Sequence, residues 1–380
     1  MNKIKNLLLI LFSIFFSLIL IEFYLIFSNS YTHLVKNNLI PSNTIWTNQE
    51  NSQITYSHPD LNYPVKSNYG KSGVKANFLI DKNFLYEGFF GDSVTDNRRI
   101  EYDYNFTSFY NEIIGKNLAL NFGVDGFGLD QSFIRYLNIK NDFHLSKIFY
   151  VFHYNDLANI LQTKLFELKN KDELVQVRHQ LNFKNKFFRL ISKRRLTYFV
   201  MSSYQKIIGK NSDIYYLKDR FIEEFVSEEK NFYNLWKPRL FAIEADSVNR
   251  DLFSSSPSNQ TVEAKKIFNS ILDLWIKEAK SQGSEFYIVV LPEEVHRNSF
   301  KKIINNEDTY KIIYLKERFP NLKYNLSEGH WNEVGNLSGA LDLADYFKLY
   351  YKNDFVENKV IKIKNLYKDS KSEFKIYKNN

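Results

Sequence analysis

A serine and a histidine, far apart in this chain of 380 residues, are the side chains best suited to covalent chemistry. Ser93 follows an apolar stretch that ends at Gly91, within a Gly-Asp-Ser sequence. A serine hydroxyl becomes a nucleophile when a neighbouring base removes its proton, and histidine performs this task near neutral pH. His330, within a Gly-His-Trp-Asn sequence, is the candidate base. The alternative for Ser93 is a helix N-cap, the commonest use of a serine after a strand.

Two further polar blocks also follow short apolar stretches. The first runs from Asn121 to Gly128 and contains three glycines, which allow the backbone either to approach a ligand closely or to make a tight turn. Its glycine spacing differs from that of the dinucleotide-binding fingerprint. The second block contains Asn155, whose side-chain amide could donate a hydrogen bond to a developing negative charge or cap the following helix.

These blocks require a scaffold that brings several strand ends together. From residue 83 onward, short apolar runs alternate with helix-like segments, which is typical of an α/β fold with a parallel sheet. In such sheets, ligands bind at the carboxyl ends of the strands. The predicted strands are Leu85–Phe90, Leu118–Phe122, Lys147–Phe152, Glu285–Leu291 and Leu322–Leu326. The predicted helices are Asn105–Ile114, Asp130–Ile139, Val262–Ser281 and Gly335–Tyr351.

The N-terminal segment predicts a transmembrane helix that anchors the chain. Lys3 and Lys5 precede the stretch Leu7–Phe27, which contains one charged residue, Glu22, and is long enough to cross a hydrocarbon core of about 30 Å. Because no Lys or Arg follows until Lys36, the positive-inside rule places the rest of the chain outside the cytoplasm, in the periplasm or the extracellular space. A cleaved signal peptide is the alternative, although no small-x-small cleavage site follows closely.

The sequence divides into regions of different character. Residues 161–261 are too many for a loop in a compact domain, and amphipathic stretches such as Lys164–Gln180 and Phe188–Ile208 predict helices there. The predicted regions are a membrane anchor (1–30), an extended stalk or wrap (31–82), an α/β domain (83–160 and 262–350), a helical insertion (161–261) and a solvated basic C-terminal tail (351–380).

Composition excludes several functions. The formal net charge of +8 comes from lysines dispersed among Glu and Asp, and no nucleic-acid motif is present, so no nucleic-acid partner is expected. The absence of cysteine excludes disulfides, thiolate metal sites and a cysteine nucleophile. The seven histidines include no pair at the i, i+4 spacing of helical zinc motifs, so neither a metal nor another cofactor is expected.

Taken in order, the four blocks resemble those of the SGNH/GDSL hydrolase superfamily. The resemblance covers residues 83–160 and 262–350, and its most specific parts are the Gly-Asp-Ser and His-Trp-Asn sequences. It implies a three-layer, flavodoxin-like fold whose five-stranded parallel sheet has the strand order 2-1-3-4-5. It also implies that Ser93 is the nucleophile and His330 the base. The implied oxyanion hole comprises the backbone N–H of Ser93, the backbone N–H of Gly126 and the side-chain amide of Asn155.

Three positions depart from the family pattern. Val94 stands where Leu or Phe is usual, and His153 stands where the third block often has Gly, so His153 is expected to crowd or line the pocket. Ser327 stands where most members have the acid of an Asp-x-x-His motif. Because a subset of the family uses Asp-x-His, the resemblance assigns the third member of the triad to Glu328. A Ser–His dyad is the alternative, since a triad acid orients and stabilises the imidazole without accepting its proton.

The resemblance implies a serine esterase outside the cytoplasm that acts on O-acyl esters, in particular O-acetyl esters, of envelope or extracellular carbohydrate. The alternatives are an O-acetyltransferase, a lipase or lysophospholipase, and a catalytically inactive binding protein with the same fold. The expected substrate is therefore an acylated glycan or a lipid ester. Hydrolysis and transfer stay open because both use the same acyl-enzyme and differ only in the nucleophile that resolves it.

Overall fold

The structure is a computed structural model. It describes residues 2–28, 39–41, 45–48, 50–56, 60–61, 63–81, 83–169, 173–177, 244–327 and 329–368. The chain forms two compact units: the first comprises Met1–Asn37 and His179–Ala242, and the second comprises Asn38–Arg178 and Ile243–Asn380. In the first unit, helix α1 (Asn2–Phe27) lies where the sequence predicts a transmembrane anchor. Among the described residues, however, no helix is both long enough and apolar enough to span a membrane.

The second unit begins with two antiparallel strand pairs. Strand β1 (Leu39–Pro41) pairs with β2 (Trp46–Asn48), and β3 (Ser52–Tyr56) pairs with β4 (Val65–Tyr69). This N-terminal segment packs on the domain, because Val65, Tyr69 and Val74 are buried. Part of the segment predicted as a stalk or wrap therefore packs on the domain.

A five-stranded parallel sheet forms the centre of the second unit. Its strands are β5 (Leu85–Gly91), β6 (Ala119–Asn121), β7 (His144–Phe152), β10 (Glu285–Val290) and β11 (Ile312–Tyr314), and between β7 and β10 lie two short strands described below. Their spatial order is β6-β5-β7-β10-β11, which is 2-1-3-4-5 when the five are numbered along the chain. All four pairings are parallel. The predicted α/β class and five-stranded parallel sheet are confirmed.

The last strand of the sheet differs from the prediction. Residues 322–326 were expected to form it, but the sheet ends with Ile312–Tyr314. Along residues 322–326, Leu322, Tyr324 and Leu326 are buried while the residues between them are partly exposed. This alternation comes from an extended segment that packs on the core without joining the sheet. His330 is therefore reached through an irregular segment and does not directly follow a strand.

Helices cover both faces of the sheet. They are α2 (Ser93–Asp96), α3 (Phe106–Ile114), α4 (Leu129–Ile139), α5 (Asp156–Thr163), α6 (Ala245–Leu252), α7 (Asn259–Ser281), α8 (Glu294–Ile303), α9 (Glu333–Tyr346) and α10 (Asn353–Lys368). The four predicted helices correspond to α3, α4, α7 and α9. Helices α3, α9 and α10 pack together on one face, and α4, α5 and α7 pack together on the other.

Aromatic side chains of successive residues in a strand alternate between the two faces of the sheet, where they pack against the helices on each face. Phe89 stacks on Phe149 at 4.3 Å between ring centroids, in the core shared with α3 and α9. The next residue, Phe90, meets Trp275 of α7 edge-to-face at 5.4 Å on the opposite face. Because a central strand is buried on both faces, its sequence is mostly apolar, and the one charged residue of β5, Glu87, is paired with Lys147.

The predicted helical insertion lies mostly outside the described residues, including the stretch Phe188–Ile208. Its described beginning differs from the prediction, because β8 (Phe166–Lys169) and β9 (Glu173–Gln176) form an antiparallel pair where Lys164–Gln180 was expected to be helical. Its described end, α6, is helical.

The C-terminal region also differs from the predicted solvated tail. Residues 353–368 form α10, in which Ile363 and Tyr367 are buried. Apolar residues three or four positions apart give this basic helix one face that packs on the core, and Lys359 at the edge of that face pairs with Glu112 of α3. Residues 369–380 lie outside the described residues.

Candidate functional site

Ser93 and His330 lie within hydrogen-bonding distance although 237 positions separate them in the chain. The Nε2 atom of His330 is 2.8 Å from the Oγ atom of Ser93. Ser93 is 8% exposed and His330 is half-buried, so the pair lies close to the boundary between the protein interior and solvent. The structure thus brings together the two residues that the sequence predicted as nucleophile and base.

The turn between β5 and α2 holds Ser93 in place. At Gly91, an added Cβ atom would lie 2.4 Å from the hydroxyl of Thr95 and 2.8 Å from the carbonyl oxygen of Val151 on the neighbouring strand. Neither distance is sterically tolerable, so the strand can turn this tightly into the helix only with a glycine. Ser93 is consequently the first residue of α2, directly at the carboxyl end of β5.

Asp92, rather than Ser93, is the N-cap of this helix. The Oδ1 atom of Asp92 accepts a hydrogen bond from the backbone N–H of Val94 at 2.8 Å. The N-cap interpretation of Ser93 is therefore wrong, and the hydroxyl of Ser93 is free to contact the imidazole. Because Ser93 is the first helical residue, its own backbone N–H has no acceptor within the helix and lies at the positive end of the helix dipole.

His330 lies in a hydrogen-bonded turn between residues 326 and 332. The backbone N–H of Leu326 donates to the carbonyl oxygen of His330 at 2.8 Å, and the N–H of Gly329 donates to the carbonyl oxygen of Leu326 at 2.9 Å. The turn ends at Asn332, whose side chain caps α9 by accepting two backbone hydrogen bonds. Hydrogen bonds at both ends of this turn, at Leu326 and at Asn332, therefore fix the backbone around His330.

One side chain joins this turn, here called the histidine turn (residues 326–332), to the turn between β5 and α2 that holds Ser93, here called the nucleophile turn. The amide nitrogen of Asn97, at the C-terminus of α2, donates to the carbonyl oxygen of Trp331 at 2.8 Å. Asn97 is in the left-handed region (φ 38°), and its backbone N–H donates to the carbonyl oxygen of Ser93 at 2.9 Å. Asn97 therefore connects the residue after His330 to the helix that begins with Ser93.

The predicted acid, Glu328, lies outside the described residues. A different carboxylate, which no sequence pattern predicted, lies beside the histidine turn. Asp60, in the N-terminal segment, accepts hydrogen bonds from the backbone N–H and the hydroxyl of Ser327, at 2.6 and 2.9 Å. No local pattern marks Asp60, because the contact joins positions 267 residues apart.

The second block packs directly against the nucleophile turn. An added Cβ atom at Gly123 would lie 2.4 Å from the backbone nitrogen of Asp96, which shows how closely the two segments approach. The backbone N–H of Val124 donates to the carbonyl oxygen of Gly91 at 3.1 Å. Gly126 follows with a φ of +80°, and within the described residues its N–H makes no hydrogen bond. This free N–H suits the predicted role as an oxyanion donor.

The third block supplies Asn155 at the carboxyl end of β7. Its side chain does not cap α5, so the capping alternative is wrong, and within the described part of the chain its amide group makes no hydrogen bond. The neighbouring carboxyl of Asp156 accepts from the backbone N–H of His153 at 3.0 Å, and burial raises its pKa well above the ordinary value. The amide of Asn155 is thus available to a ligand.

A pair of histidines, His153 and His296, lies beside the nucleophile turn. His153, predicted to line the pocket, has its Nδ1 atom 3.6 Å from a carboxylate oxygen of Asp92, and its ring centroid is 4.4 Å from that of His296. Burial, together with the neighbouring His153, lowers the pKa of His296 to about 2, so this ring is neutral. The Nδ1 atom of His296 accepts from the backbone N–H of Tyr154, so its proton is on Nε2, which is 3.7 Å from Glu293.

His296 and Glu293 were missed by the sequence analysis. Both follow strand β10, at the same edge of the sheet as the other blocks. The rule that ligands bind at the carboxyl ends of parallel strands marks this position, although no residue pattern singled it out.

A buried lysine supports the nucleophile turn from the N-terminal segment. The ammonium group of Lys75 donates to the carbonyl oxygens of Asp96 and Asn97, at 3.0 and 2.6 Å. These are carbonyl groups at the C-terminus of α2, where a positive charge and hydrogen-bond donors are favourable. Burial lowers the pKa of Lys75 to about 7. The lysine therefore stabilises the end of the helix whose first residue is Ser93.

The chain matches no family model, and none of the curated proteins compared with it is similar in sequence. Among the described residues, no group of three or more His, Asp or Glu side chains is arranged to hold a metal ion. The described site contains a serine hydroxyl within hydrogen-bonding distance of an imidazole, with backbone and side-chain amide groups nearby.

Proposed function

We propose that this chain is a serine hydrolase of the SGNH/GDSL type. The observation that carries the proposal is the 2.8 Å contact between Nε2 of His330 and Oγ of Ser93. The strand order 2-1-3-4-5, which the resemblance implies, gives further support. So does the position of the first three blocks directly after the parallel strands β5, β6 and β7, since ligands bind at that edge of such a sheet.

The reaction begins with proton transfer from Ser93 to His330. The hydroxyl oxygen attacks the carbonyl carbon of an ester, and the imidazolium then gives its proton to the departing alcohol, which leaves an acyl-enzyme. A water molecule or a sugar hydroxyl resolves the acyl-enzyme after His330 removes its proton. The first outcome is hydrolysis and the second is acyl transfer, and both need the same residues.

The oxyanion that forms on the ester carbonyl needs hydrogen-bond donors. In this proposal they are the backbone N–H of Ser93 at the start of α2, the backbone N–H of Gly126 and the side-chain amide of Asn155. The lack of internal partners for Gly126 and Asn155 within the described residues supports this role. Donors that are already fixed in place stabilise the oxyanion without a reorganisation cost during the reaction.

Glu328 is the proposed third member of the triad, with the Ser–His dyad as the alternative. The replacement Glu328→Gln distinguishes them, because it keeps the shape of the side chain and removes the charge. A fall in kcat of about 10⁴-fold is the size expected when a triad acid is lost. An unchanged kcat leaves the dyad as the mechanism.

The proposed substrate is an O-acyl ester of carbohydrate, in particular an O-acetyl ester outside the cytoplasm. This part of the proposal rests on the family resemblance. A lipase or lysophospholipase is a second candidate, which one feature favours. Exposed Phe253 and Val295 line an open cleft of about 370 Å³ between α6 and α8, at the beginning of the helix that follows β10.

Covalent labelling with a fluorophosphonate tests the proposed nucleophile. We expect wild-type protein to be labelled at Ser93 and Ser93→Ala to be unlabelled, while His330→Ala is labelled at least about 10³-fold more slowly. Ser281→Ala, which changes an exposed serine at the end of α7, is the matched control and keeps the wild-type rate. Equal labelling of wild type and Ser93→Ala contradicts the proposal and favours the inactive binding protein.

Substrate assays then separate the candidate activities. We expect acetate release from acetylated xylan to be faster than hydrolysis of long-chain p-nitrophenyl esters. The opposite preference favours a lipase. Formation of an acetylated sugar from an added acceptor, in place of free acetate, identifies a transferase.

A further inference from the structure

A buried carboxylate from the N-terminal segment accepts hydrogen bonds from the turn that contains His330. Asp60 is 6% exposed, and its two oxygens accept separate hydrogen bonds from Ser327. The backbone N–H donates to one at 2.6 Å and the hydroxyl donates to the other at 2.9 Å. Hydrogen bonds to an ionised carboxylate are stronger than neutral ones, and leaving such a group buried without donors is costly. The contact therefore fixes the position of Ser327.

Ser327 is the residue of the histidine turn that Asp60 contacts. It lies three positions before His330, where most members of the SGNH/GDSL superfamily carry the acidic residue of the triad. The N–H of Leu326, the preceding residue, donates to the carbonyl oxygen of His330. A displacement of Ser327 is consequently transmitted to the backbone of His330 through a single short turn.

The same N-terminal segment holds the other side of the turn. The hydroxyl of Tyr63 donates to the carboxylate of Glu333 at 2.9 Å, and Glu333 is the first residue of α9. Leu61 and Val65 are buried in the core beside these polar residues. Asp60 and Tyr63 thus contact the chain before and after His330, respectively.

We infer that Asp60 is a positioning residue for His330 and supplies, from a distant segment, the carboxylate that Ser327 replaces in the family motif. The inference rests on the proposed function. Asp60 holds the imidazole at hydrogen-bonding distance from Ser93 and adds a negative charge close to the turn in which the imidazolium forms. Its replacement should lower the rate of the chemical step and leave substrate binding unchanged, because the imidazole acts in proton transfer.

The chain contains a matched control for this pair. Asp251 accepts hydrogen bonds from the backbone N–H and the hydroxyl of Ser258, the latter at 2.6 Å. This pair has the same chemistry as Asp60 and Ser327, but it lies at the exposed junction of α6 and α7. Asp251→Asn therefore reports the cost of breaking such a pair away from the histidine turn.

The test compares fluorophosphonate labelling rates of the full-length chain and its variants. We expect Asp60→Asn to lower the rate by about 10- to 100-fold, the size of the loss found when residues that orient metal-binding side chains are replaced. Asp251→Asn should keep the wild-type rate. With an ester substrate, Asp60→Asn should lower kcat while KM stays within about threefold of wild type, as expected for an interaction used only in the transition state.

The double variant Asp60→Ser with Ser327→Asp returns the carboxylate to the histidine turn. Recovery of at least about tenfold in rate over Asp60→Ser alone supports the inference, because the exchange places the carboxylate three positions before His330 and restores the pair with residue 60. This comparison also decides the question if Asp60→Asn does not fold. A double variant as slow as Asp60→Ser contradicts the inference.

The possible failures are distinguishable. If Ser93 is labelled in the wild type and Asp60→Asn reacts at the same rate, the inference is wrong and the proposed function stands. If Ser93 is not labelled in the wild type, the proposed function is wrong and the inference fails with it.

Discussion

The two turns that form the candidate site are supported in different ways. The nucleophile turn, between β5 and α2, is held by Asp92 next to it and by the block that follows β6. The histidine turn, residues 326–332, is held by Asp60 and Asn97, more than 200 positions away. The first turn therefore takes its shape from nearby sequence, whereas the second depends on the completed fold.

This difference suggests how the site assembles. The nucleophile turn depends on β5, β6 and Lys75, which are close together in both sequence and space. The histidine turn reaches its final geometry only when the N-terminal segment is in place, since Asp60 belongs to that segment. Changes to the N-terminal segment should therefore affect the histidine turn through Asp60 and the nucleophile turn through Lys75.

Among the residues that support the nucleophile turn, we expect Lys75 to have the largest effect on the free energy of unfolding. Its pKa of about 7 in the folded protein is below the ordinary value of 10.5 because the ammonium group is buried. The unfolded chain therefore binds more protons than the folded chain between about pH 7 and pH 10. The free energy of unfolding contributed by this group rises with pH across that window, by up to about 4 kcal/mol in total.

Lys75→Met tests this expectation, because methionine keeps the length of the side chain without a titrating group. We expect the stability of the wild type, measured by urea unfolding, to rise relative to that of Lys75→Met from pH 7 to pH 10. Parallel pH dependences for the two proteins would show that folding does not lower the pKa of Lys75.

The sequence predicted the nucleophile side of the site better than the histidine side. Ser93, Gly126 and Asn155 each follow a strand of strong apolar character, so the sheet itself specifies where they lie. Asp60 could not be predicted, because a single Asp in a polar segment has no periodic pattern and its partner is distant. The short apolar runs in the sequence were sufficient to predict the α/β class and the central parallel sheet of the fold.

The fifth strand shows why the remaining details were not predictable. Leu322–Leu326 alternates in the manner of a strand, but this pattern reports burial on one side and does not report which backbone groups pair. The same limit explains α10, where a basic composition concealed an apolar face. In both cases the packing partner, which the local sequence does not contain, decided the outcome.

A smaller effect is expected from crowding the contact between the second block and α2. Gly123→Ala places a Cβ atom 2.4 Å from the backbone nitrogen of Asp96, which must then move. We expect a loss of about 1–3 kcal/mol in the free energy of unfolding, the usual cost of overpacking. Gly70→Ala is the matched control, because its nearest neighbour would be 3.9 Å away.

Urea unfolding of both glycine variants measures the difference, and labelling of Ser93 reports whether the nucleophile turn has moved. If Gly123→Ala is as stable as Gly70→Ala and reacts at the wild-type rate, the second block does not constrain the nucleophile turn. A loss of labelling with little loss of stability would show that the turn yields to the added methyl group and carries Ser93 away from His330.

The smallest effect concerns Asn97, which connects the two turns. Replacing it with Gly removes the hydrogen bond to the carbonyl oxygen of Trp331 but suits the left-handed backbone at φ 38°. Asn97→Ala removes the same hydrogen bond and also strains the backbone. We expect Asn97→Gly to lose about 1 kcal/mol in the free energy of unfolding, and Asn97→Ala to lose about 1 kcal/mol more.

The comparison of these two variants separates the connection from the backbone conformation. If the hydrogen bond aligns the turns, both variants should label Ser93 more slowly than the wild type and by similar factors, because both lack the amide group. If only Asn97→Ala is slow, the left-handed conformation at the end of α2 fixes Ser93. His330 would then depend for its position on Asp60 and the other contacts of its own turn.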